Sequence, residues 1–253
     1  MWGNSFSTDL KKTGSIIFIL MILSMFLMLP QYEGFESNGE IVPVEELGIQ
    51  GSVFFTYIEG GIVRNRIDKW IVQLTTDDDI DFYPMTEEDV MNEVFMTEIG
   101  DEIRTDTVEN ALANTDSTDI SQKEEILENS EIYLGDSFGL MVAIGLVEER
   151  DGVDFSHGGK LVIAGTGTLY EDGTVGSVGG IRHKLLTAED QGVDLFFVPK
   201  DSGSEFFLEG ELTNEEEARQ TVEDYDLNVH VVPVATLDEA LTYLRKDIEK
   251  VKP

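Results

Sequence analysis

Strand-like and helix-like stretches alternate along the second half of the chain, and this alternation constrains the fold more than any other feature. Strands are predicted over 160–170, 194–199 and 228–234, and helices over 180–191, 214–224 and 236–248. Such alternation is typical of α/β domains, in which each helix carries the chain back so that the next strand lies beside the last. We therefore predict an α/β domain.

The preceding part of the chain is less regular. Residues 137–149 are apolar on all sides and predict a buried helix. Helices are also predicted near 86–98 and 121–130, with a loop around 105–120. Strands over 52–58 and 62–74 are predicted to form a hairpin through Glu59-Gly60-Gly61, because a Gly-Gly pair between apolar and β-branched flanks favours a tight turn.

An uncharged apolar run near the N-terminus, residues 14–30, is close to the minimum length of a membrane-spanning helix. No small-x-small cleavage site follows it, which favours an uncleaved anchor over a signal peptide. Lys11 and Lys12 precede the run and acidic residues follow it, so the positive-inside rule places the N-terminus in the cytoplasm. We expect a single-pass membrane protein whose remaining residues are extracytoplasmic.

These patterns divide the chain into four parts. A cytoplasmic tail is predicted over 1–13, a transmembrane anchor over 14–31, a polar linker over 32–46 and one domain over 47–253, with its chemistry-bearing motifs in 130–245. The N-terminal helix is thus expected to precede a single α/β domain.

The chain is strongly acidic, with 51 Asp and Glu against 17 Lys and Arg and a net charge of -34. Such a surface repels nucleic acid and anionic lipid headgroups, so no nucleic-acid partner is expected. Two explanations stay open: adaptation to a salty or alkaline medium, and a dedicated cationic partner or substrate.

The composition also limits the chemistry. There is no cysteine, which excludes a thiolate nucleophile and thiolate metal sites. The chain has no H-E-x-x-H cluster and no dinucleotide-binding glycine spacing, so neither a metal nor a cofactor is expected. An α/β-hydrolase triad is disfavoured because His230, the only late histidine, lies inside a predicted strand.

Ser137 is the candidate nucleophile. It lies in a Gly-x-Ser-x-Gly motif, Gly135-Asp136-Ser137-Phe138-Gly139, directly before the buried helix. Free backbone N–H groups at a helix N-terminus can stabilise an oxyanion, and we place the oxyanion region at Gly135, Asp136 and Gly139. The alternative interpretation is a serine that only caps the helix.

Lys184 is the candidate base. At 3.6 residues per turn, Lys184 falls on the same helix face as Ile181, Leu185 and Ala188, whereas His183 falls elsewhere and is expected to be solvent-exposed. Burial disfavours the ammonium form and can produce a base active near neutral pH. The alternative is a lysine whose stem packs while its amine reaches water. Lysine is a known partner for a serine nucleophile.

Taken in order, these motifs identify a family resemblance. The set is Gly135-x-Ser137-x-Gly139, Ala164-Gly165-Thr166-Gly167, and Gly173-Thr174-Val175-Gly176 followed by Gly179-Gly180-Ile181-x-x-Lys184. It resembles the proteolytic domain of Lon peptidases, with the greatest likeness to stand-alone, membrane-anchored bacterial members without an ATPase. A fainter likeness covers 51–61. The resemblance implies the α/β (α+β-like) fold of that proteolytic domain.

The resemblance also implies roles. Ser137 matches the nucleophile, Lys184 the base of a serine–lysine dyad, and Thr166 a supporting hydroxyl that orients the lysine. Substrates are then peptides or flexible protein segments, and a homo-oligomer is compatible with the resemblance. The chain has no G-x-x-x-x-G-K-[ST] motif for nucleotide-driven unfolding, and 76–130 show no evident PDZ domain.

Two positions differ from the family pattern. Asp136 and Phe138 stand where the family has proline and alanine. A carboxylate beside the nucleophile and a bulky ring near the cleft motivate an alternative hypothesis, a catalytically inactive Lon-like domain that acts as a membrane-tethered binding or scaffold protein.

Overall fold

The computed structural model describes residues 3–76, 79–117, 120–133, 135–200 and 212–246. Within them the α-helices are α1 Gly3–Leu27, α2 Arg66–Thr75, α3 Glu87–Glu98, α4 Gly100–Asn114, α5 Ile120–Asn129, α6 Gly139–Asp151, α7 Ile181–Asp190, α8 Asn214–Tyr225 and α9 Leu237–Lys246. The strands are β1 Glu33–Ser37, β2 Ile41–Pro43, β3 Phe54–Thr56, β4 Glu59–Val63, β5 Ile80–Pro84, β6 Ile163–Gly165, β7 Thr168–Leu169, β8 Val175–Gly176, β9 Leu195–Pro199 and β10 His230–Val234, and Val44–Leu47 forms a 3-10 turn. The chain divides into two compact units, 1–37 with 60–92 and 38–59 with 93–253.

The second unit is built around a five-stranded sheet in the order β10-β9-β6-β3-β2. The first four of these strands are mutually parallel, and β2 runs antiparallel to β3. Parallel neighbours need long crossover connections, which α7 provides between β6 and β9 and α8 between β9 and β10. The predicted mixed α/β architecture is confirmed.

Both faces of this sheet are covered by helices. Along β9, Leu195 and Phe197 belong to a core cluster shared with α4, α5, α6 and α9. Phe196 and Val198 point the other way, into a cluster shared with α7 and α8. Alternate residues of a strand face opposite sides, so a strand buried on both sides must be apolar throughout, as β9 is.

Helix α6 is the most buried helix of this unit, as its uniformly apolar sequence predicted. Gly145 allows close packing here, because a Cβ atom at this position would lie 2.8 Å from Val44 Cγ2. The carboxylate of Glu148, 1% exposed, accepts hydrogen bonds from Ser52 N and Oγ and from Phe155 N. These bonds satisfy a buried charge near the end of the helix.

The first unit contains a three-stranded sheet in the order β4-β1-β5. Strands β1 and β5 are antiparallel, from Glu33 opposite Pro84 to Ser37 opposite Ile80. The ammonium group of Lys69 on α2 pairs with Glu33 and lies 4.2 Å from the centroid of the Phe82 ring. This cation therefore joins α2 to the face of the sheet.

The predicted hairpin over 52–74 is wrong. Strand β3 pairs with β2 and β6, whereas β4 lies beside β1 in the other sheet. The rest of the predicted second strand is helix α2, which begins after Asn65. The Asn65 side chain accepts hydrogen bonds from the N–H groups of Ile67 and Asp68, and this N-cap starts a helix where the apolar residues alone suggested a strand.

Two further predicted segments differ from the structure. The loop expected around 105–120 is largely helix α4, and the stretch expected as a polar linker, 32–46, holds β1, β2 and part of the 3-10 turn. In α4 the buried residues are Gly100, Arg104, Thr107, Val108, Ala111 and Leu112. Their spacing is helical, but the stripe includes polar side chains and so lacks a clear apolar pattern.

The apolar run near the N-terminus lies mostly within α1. Among the residues that the structure describes, none of the helices combines the length and the apolar character needed to cross a lipid bilayer. The transmembrane helix predicted over 14–31 therefore has no support from these helices.

Candidate active site

Ser137 lies in a short turn that leads into α6. Gly135 in this turn has a φ of 87°, in the left-handed region that favours glycine. Helix α6 begins at Gly139, two residues after the serine, and Ser137 is half-buried. The turn therefore presents a partly accessible serine just before a helix N-terminus, as the motif predicted.

Backbone hydrogen bonds fix this turn against the chain that follows β6. The carbonyl oxygen of Ser137 accepts from Gly167 N at 2.8 Å, and Leu140 N donates to Gly167 O at 3.0 Å. The same Ser137 carbonyl accepts from the hydroxyl of Thr166 at 3.1 Å. Three hydrogen bonds thus define where the serine lies relative to the end of β6.

Thr166 sits at the point where the predicted strand 160–170 is interrupted, between β6 and β7. Its N–H donates to Phe197 O at 3.0 Å, which extends the pairing with β9 by one residue. Gly165 just before it must be small, because a Cβ atom there would lie 2.8 Å from Met141 Sδ and 2.9 Å from Phe197 Cβ. Close packing of the sheet against α6 therefore determines the position of Thr166.

Lys184 approaches Thr166 from α7. Its Nζ donates to Thr166 Oγ1 at 2.9 Å, and Lys184 is only 3% exposed. The helix begins after Gly180, whose φ of 69° strains any residue with a side chain, and a Cβ atom there would also require Ile58 Cδ1, 2.5 Å away, to move. Lys184 lies on the buried face of α7, as the helical spacing predicted.

The structure therefore brings together three of the residues predicted from the sequence. The Thr166 hydroxyl accepts from Lys184 and donates to the carbonyl of Ser137, so it connects the other two. A hydroxyl has a single hydrogen, and this hydrogen is directed at Ser137. Toward Lys184 the same oxygen can act only as an acceptor.

The predicted oxyanion region is only partly available. The Gly139 N–H donates to Asp136 O at 3.1 Å, so it is already engaged, and the Leu140 N–H is bound to Gly167 O. The N–H groups of Asp136 and Ser137 take part in none of the hydrogen bonds described for this turn. These two are the better candidates for oxyanion donors.

Phe138 does not obstruct this turn. Its ring is 2% exposed and lies in the hydrophobic core, 5.8 Å between centroids from the ring of Phe55. The concern that a bulky residue after the serine narrows the cleft is thus wrong, because the side chain points inward. Asp136, in contrast, is half-buried at the surface.

His183 is buried, which contradicts the expectation that it is solvent-exposed. It is 1% exposed, with Nδ1 2.9 Å from Asn38 Oδ1 and Nε2 3.0 Å from Arg182 Nη2. The Gly39 N–H also donates to Thr187 Oγ1 on the same helix. The chain at 38–39 covers a flank of α7 that helical periodicity alone left open.

A carboxylate on the neighbouring helix α8 adds to the electrostatics of the site. Burial raises the pKa of Glu217, and the Arg182 N–H, which donates to its Oε1 at 3.1 Å, and the positive charges of Arg182 and Lys184 oppose that rise. Sequence alone does not distinguish this residue, since the first turn of α8 contains three consecutive glutamates, Glu215 to Glu217.

No grouping of three or more His, Asp or Glu side chains suited to a metal ion occurs in the part of the chain that the structure describes. The arrangement that remains is a half-buried serine and a buried lysine on a mixed α/β scaffold, connected through one threonine. It combines a hydroxyl and an amine, the two groups that acyl-transfer chemistry of the serine–lysine type requires.

Comparison with known proteins relates part of the chain to a protease. No protein-family model matches the chain. Over 116 residues the chain is 25% identical to a protein described as Archaeal Lon protease from Archaeoglobus fulgidus. The alignment covers 46% of this chain but only 16% of that protein, so the chain corresponds to a small part of its relative. The match supports a distant relationship with Lon proteases.

Proposed function

We propose that this chain is a serine endopeptidase that cleaves peptides or flexible protein segments without ATP, with Ser137 as nucleophile and Lys184 as general base. One observation carries the proposal: a lysine that is 3% exposed donates to the Thr166 hydroxyl, which in turn donates to the backbone of Ser137. The distant relationship with Lon proteases supports the same chemistry.

The first half of the reaction forms an acyl-enzyme. The neutral amine of Lys184 takes the hydroxyl proton of Ser137 while Oγ attacks the carbonyl carbon of the peptide bond. The negative charge on the former carbonyl oxygen is stabilised by backbone N–H groups, for which Asp136 and Ser137 are the candidates. The tetrahedral intermediate collapses, the C–N bond breaks, and the Lys184 ammonium protonates the leaving amine.

The second half regenerates the enzyme. Lys184, neutral again, takes a proton from water, whose oxygen attacks the acyl carbon. The ester bond to Ser137 Oγ breaks, and the Lys184 ammonium returns a proton to that oxygen. The product leaves as a carboxylic acid, and both side chains return to their starting forms.

Burial of the lysine supports this role. Removal of an amine from water disfavours its ammonium form, so a buried lysine is a more effective base than an exposed one. Thr166 holds the amine in one orientation by accepting one N–H, and in the neutral amine the lone pair serves as the proton acceptor. The carboxylate of Glu217 acts in the opposite sense, since a nearby negative charge favours the ammonium.

Location and assembly form a separate proposal. The uncharged run 14–30, with Lys11 and Lys12 before it, supports attachment to a membrane and an extracytoplasmic domain. Extraction of cell membranes with alkaline carbonate tests attachment, and sedimentation of the purified chain tests whether it forms a homo-oligomer. Neither result bears on the dyad.

The alternative function is a binding or scaffold protein without catalytic activity. It was motivated by Asp136 and Phe138, and the burial of Phe138 leaves Asp136 as its only structural motive. A carboxylate beside the nucleophile could repel an oxyanion. Asp136→Asn, which removes the negative charge and keeps the backbone N–H, is the variant that addresses it.

The test is cleavage of an unfolded casein-like protein by the purified full chain, without nucleotide, at low and high salt. We expect cleavage by the wild type and none by Ser137→Ala or Lys184→Ala. Matched controls are Ser121→Ala and Lys160→Ala, which replace the same residue types at exposed positions. Both controls should retain wild-type activity.

Two results would argue against the proposal. Activity that survives Ser137→Ala would assign the hydrolysis to another group or a contaminant. A folded wild type that cleaves nothing in any salt, together with an Asp136→Asn variant that is also inactive, would favour the scaffold alternative.

A further inference from the structure

Two buried threonines lie side by side where neighbouring parallel strands end. Phe55 of β3 is opposite Gly165 of β6. The residues that follow them, Thr56 and Thr166, therefore occupy adjacent positions at the same edge of the sheet.

Both threonines face the helix that carries the proposed base. Phe54 and Ala164 belong to the core between the sheet and helices α7 and α8. Because alternate residues of a strand share a face, Thr56 and Thr166 face the same side. The hydrogen bond from Lys184 to Thr166 shows that this side is where the lysine amine lies.

The two hydroxyls differ in their partners. Thr166 Oγ1 accepts from Lys184 and donates to Ser137 O. Thr56 is 1% exposed, and its Oγ1 makes no hydrogen bond within the described part of the chain. A buried hydroxyl without a hydrogen-bond partner lowers the stability of the folded protein. Its presence is explained if the hydroxyl gains a partner in another protonation state of the site.

We propose that Thr56 is a positioning residue of this site, whose hydroxyl accepts the additional N–H that Lys184 gains on protonation. The inference rests on the proposed peptidase function. A neutral amine has two N–H groups and a lone pair, whereas an ammonium has three N–H groups. One donates to Thr166 and one is directed at the reacting atoms, and the hydroxyl of Thr56, on the same side of the sheet, can accept the third.

Charged and titratable groups near Lys184 act on it in a different way from a neutral hydroxyl. Glu217 on α8 interacts with Lys184 through its charge, and Arg182 and His183 flank the lysine on α7. Asp136 lies in the turn before α6, next to the serine. These groups shift the balance between amine and ammonium, whereas a hydroxyl one strand away from Thr166 can orient a particular N–H.

The experiment compares Thr56→Val with Thr56→Ser in the full chain. Valine keeps the shape of the threonine side chain but removes the hydroxyl acceptor, whereas serine keeps the hydroxyl. On the high-pH plateau, where Lys184 is neutral in both proteins, we expect Thr56→Val to lower kcat about ten- to hundredfold, with KM nearly unchanged. Serine should restore most of the rate. The Tm of Thr56→Val should stay equal or rise, because valine removes an unpartnered polar group.

A second readout does not depend on activity. The Lys184 side chain can be titrated by NMR in protein labelled with ¹³C at lysine Cε, with the signal assigned by Lys184→Arg. Loss of an acceptor for the ammonium should move its titration midpoint to lower pH in Thr56→Val but not in Thr56→Ser.

Several results would overturn the inference. An unchanged kcat, an unchanged Lys184 midpoint, or a Tm that falls together with kcat would each show that Thr56 has only a structural role. If the wild type cleaves no substrate, the proposed function fails, yet the Lys184 midpoint still decides whether Thr56 pairs with the ammonium.

Discussion

Lys184 Nζ donates a 2.9 Å hydrogen bond to Thr166 Oγ1 in the interior of the protein, where Lys184 is 3% and Thr166 0% exposed. We expect Thr166→Val to leave the amine without this acceptor and to lower kcat about ten- to hundredfold. Steady-state kinetics on a peptide substrate measures this change in kcat.

The control for that variant is Thr115→Val. Thr115 is also fully buried, but its hydroxyl bonds to the backbone carbonyls of Ala111 and Leu112. The Thr115→Val variant should be somewhat less stable than the wild type and equally active. Equal losses of activity in the two variants would mean that the Thr166 effect reflects folding rather than the site.

Gly165 is expected to tolerate no side chain. A Cβ atom would lie 2.8 Å from Met141 Sδ and 3.0 Å from Phe197 O, so Gly165→Ala must push α6 or β9 away. We predict a loss of about 1–3 kcal/mol in the free energy of unfolding, measured by urea denaturation. Gly179→Ala is the control, because no atom lies within 4 Å of its Cβ position. A Gly165→Ala variant as stable as Gly179→Ala would contradict the tight packing.

Glu217 should make stability depend on pH. Burial raises its pKa in the folded protein above the ordinary value of 4.5. At pH values between 4.5 and the raised pKa of Glu217, the folded protein binds more protons than the unfolded chain. The free energy of unfolding therefore falls as the pH rises through this range. Glu217→Gln cannot ionise and keeps an acceptor for Arg182 N. Its stability relative to wild type should therefore increase from pH 4 to pH 7.

Urea denaturation at several pH values measures this difference. Glu223→Gln on the same helix changes the net charge equally at an exposed position, and it should show a much smaller pH-dependent gain. Parallel behaviour of the two variants would assign the effect to overall charge instead of the burial of Glu217.

Salt should stabilise the chain. At a net charge of -34, repulsion between like charges opposes folding, and the Debye length shrinks from about 10 Å at 0.1 M to about 3 Å at 1 M salt. We expect the Tm to rise steadily with KCl. Sucrose at equal osmolality is the control, and an equal rise in sucrose would remove charge screening as the cause. Peptidase activity lost in KCl would instead favour electrostatic capture of a cationic substrate.

The sequence predicted the elements from 180 onward well, since their apolar patterns are regular and each has a clear helix or strand period. It failed at α2 and α4. In α2 the N-cap of Asn65 decided between helix and strand, and in α4 polar residues such as Arg104 and Thr107 occupy the buried stripe. Local hydrogen bonds and mixed-polarity packing are not visible in an apolar pattern.

One structural feature of the candidate site could also be predicted. The spacing around Lys184 indicated its burial, and the structure confirms it. Two features depend on contacts between distant segments and could not be inferred: the burial of His183 against Asn38, and the position of Glu217 near Lys184. The position of Thr56 could not be inferred from the sequence either, since only the pairing of β3 with β6 brings it next to Thr166.

The pairing of β3 with β6 also has a consequence for synthesis on the ribosome. Strand β3 is made early, but its parallel neighbour follows more than one hundred residues later, and β9 and β10 later still. The five-stranded sheet therefore cannot close during synthesis until β10, which ends at Val234, has left the exit tunnel. Until β6 emerges, the edge of β3 that it later covers is unpaired, and the dense negative charge of the chain opposes its association with neighbouring nascent chains.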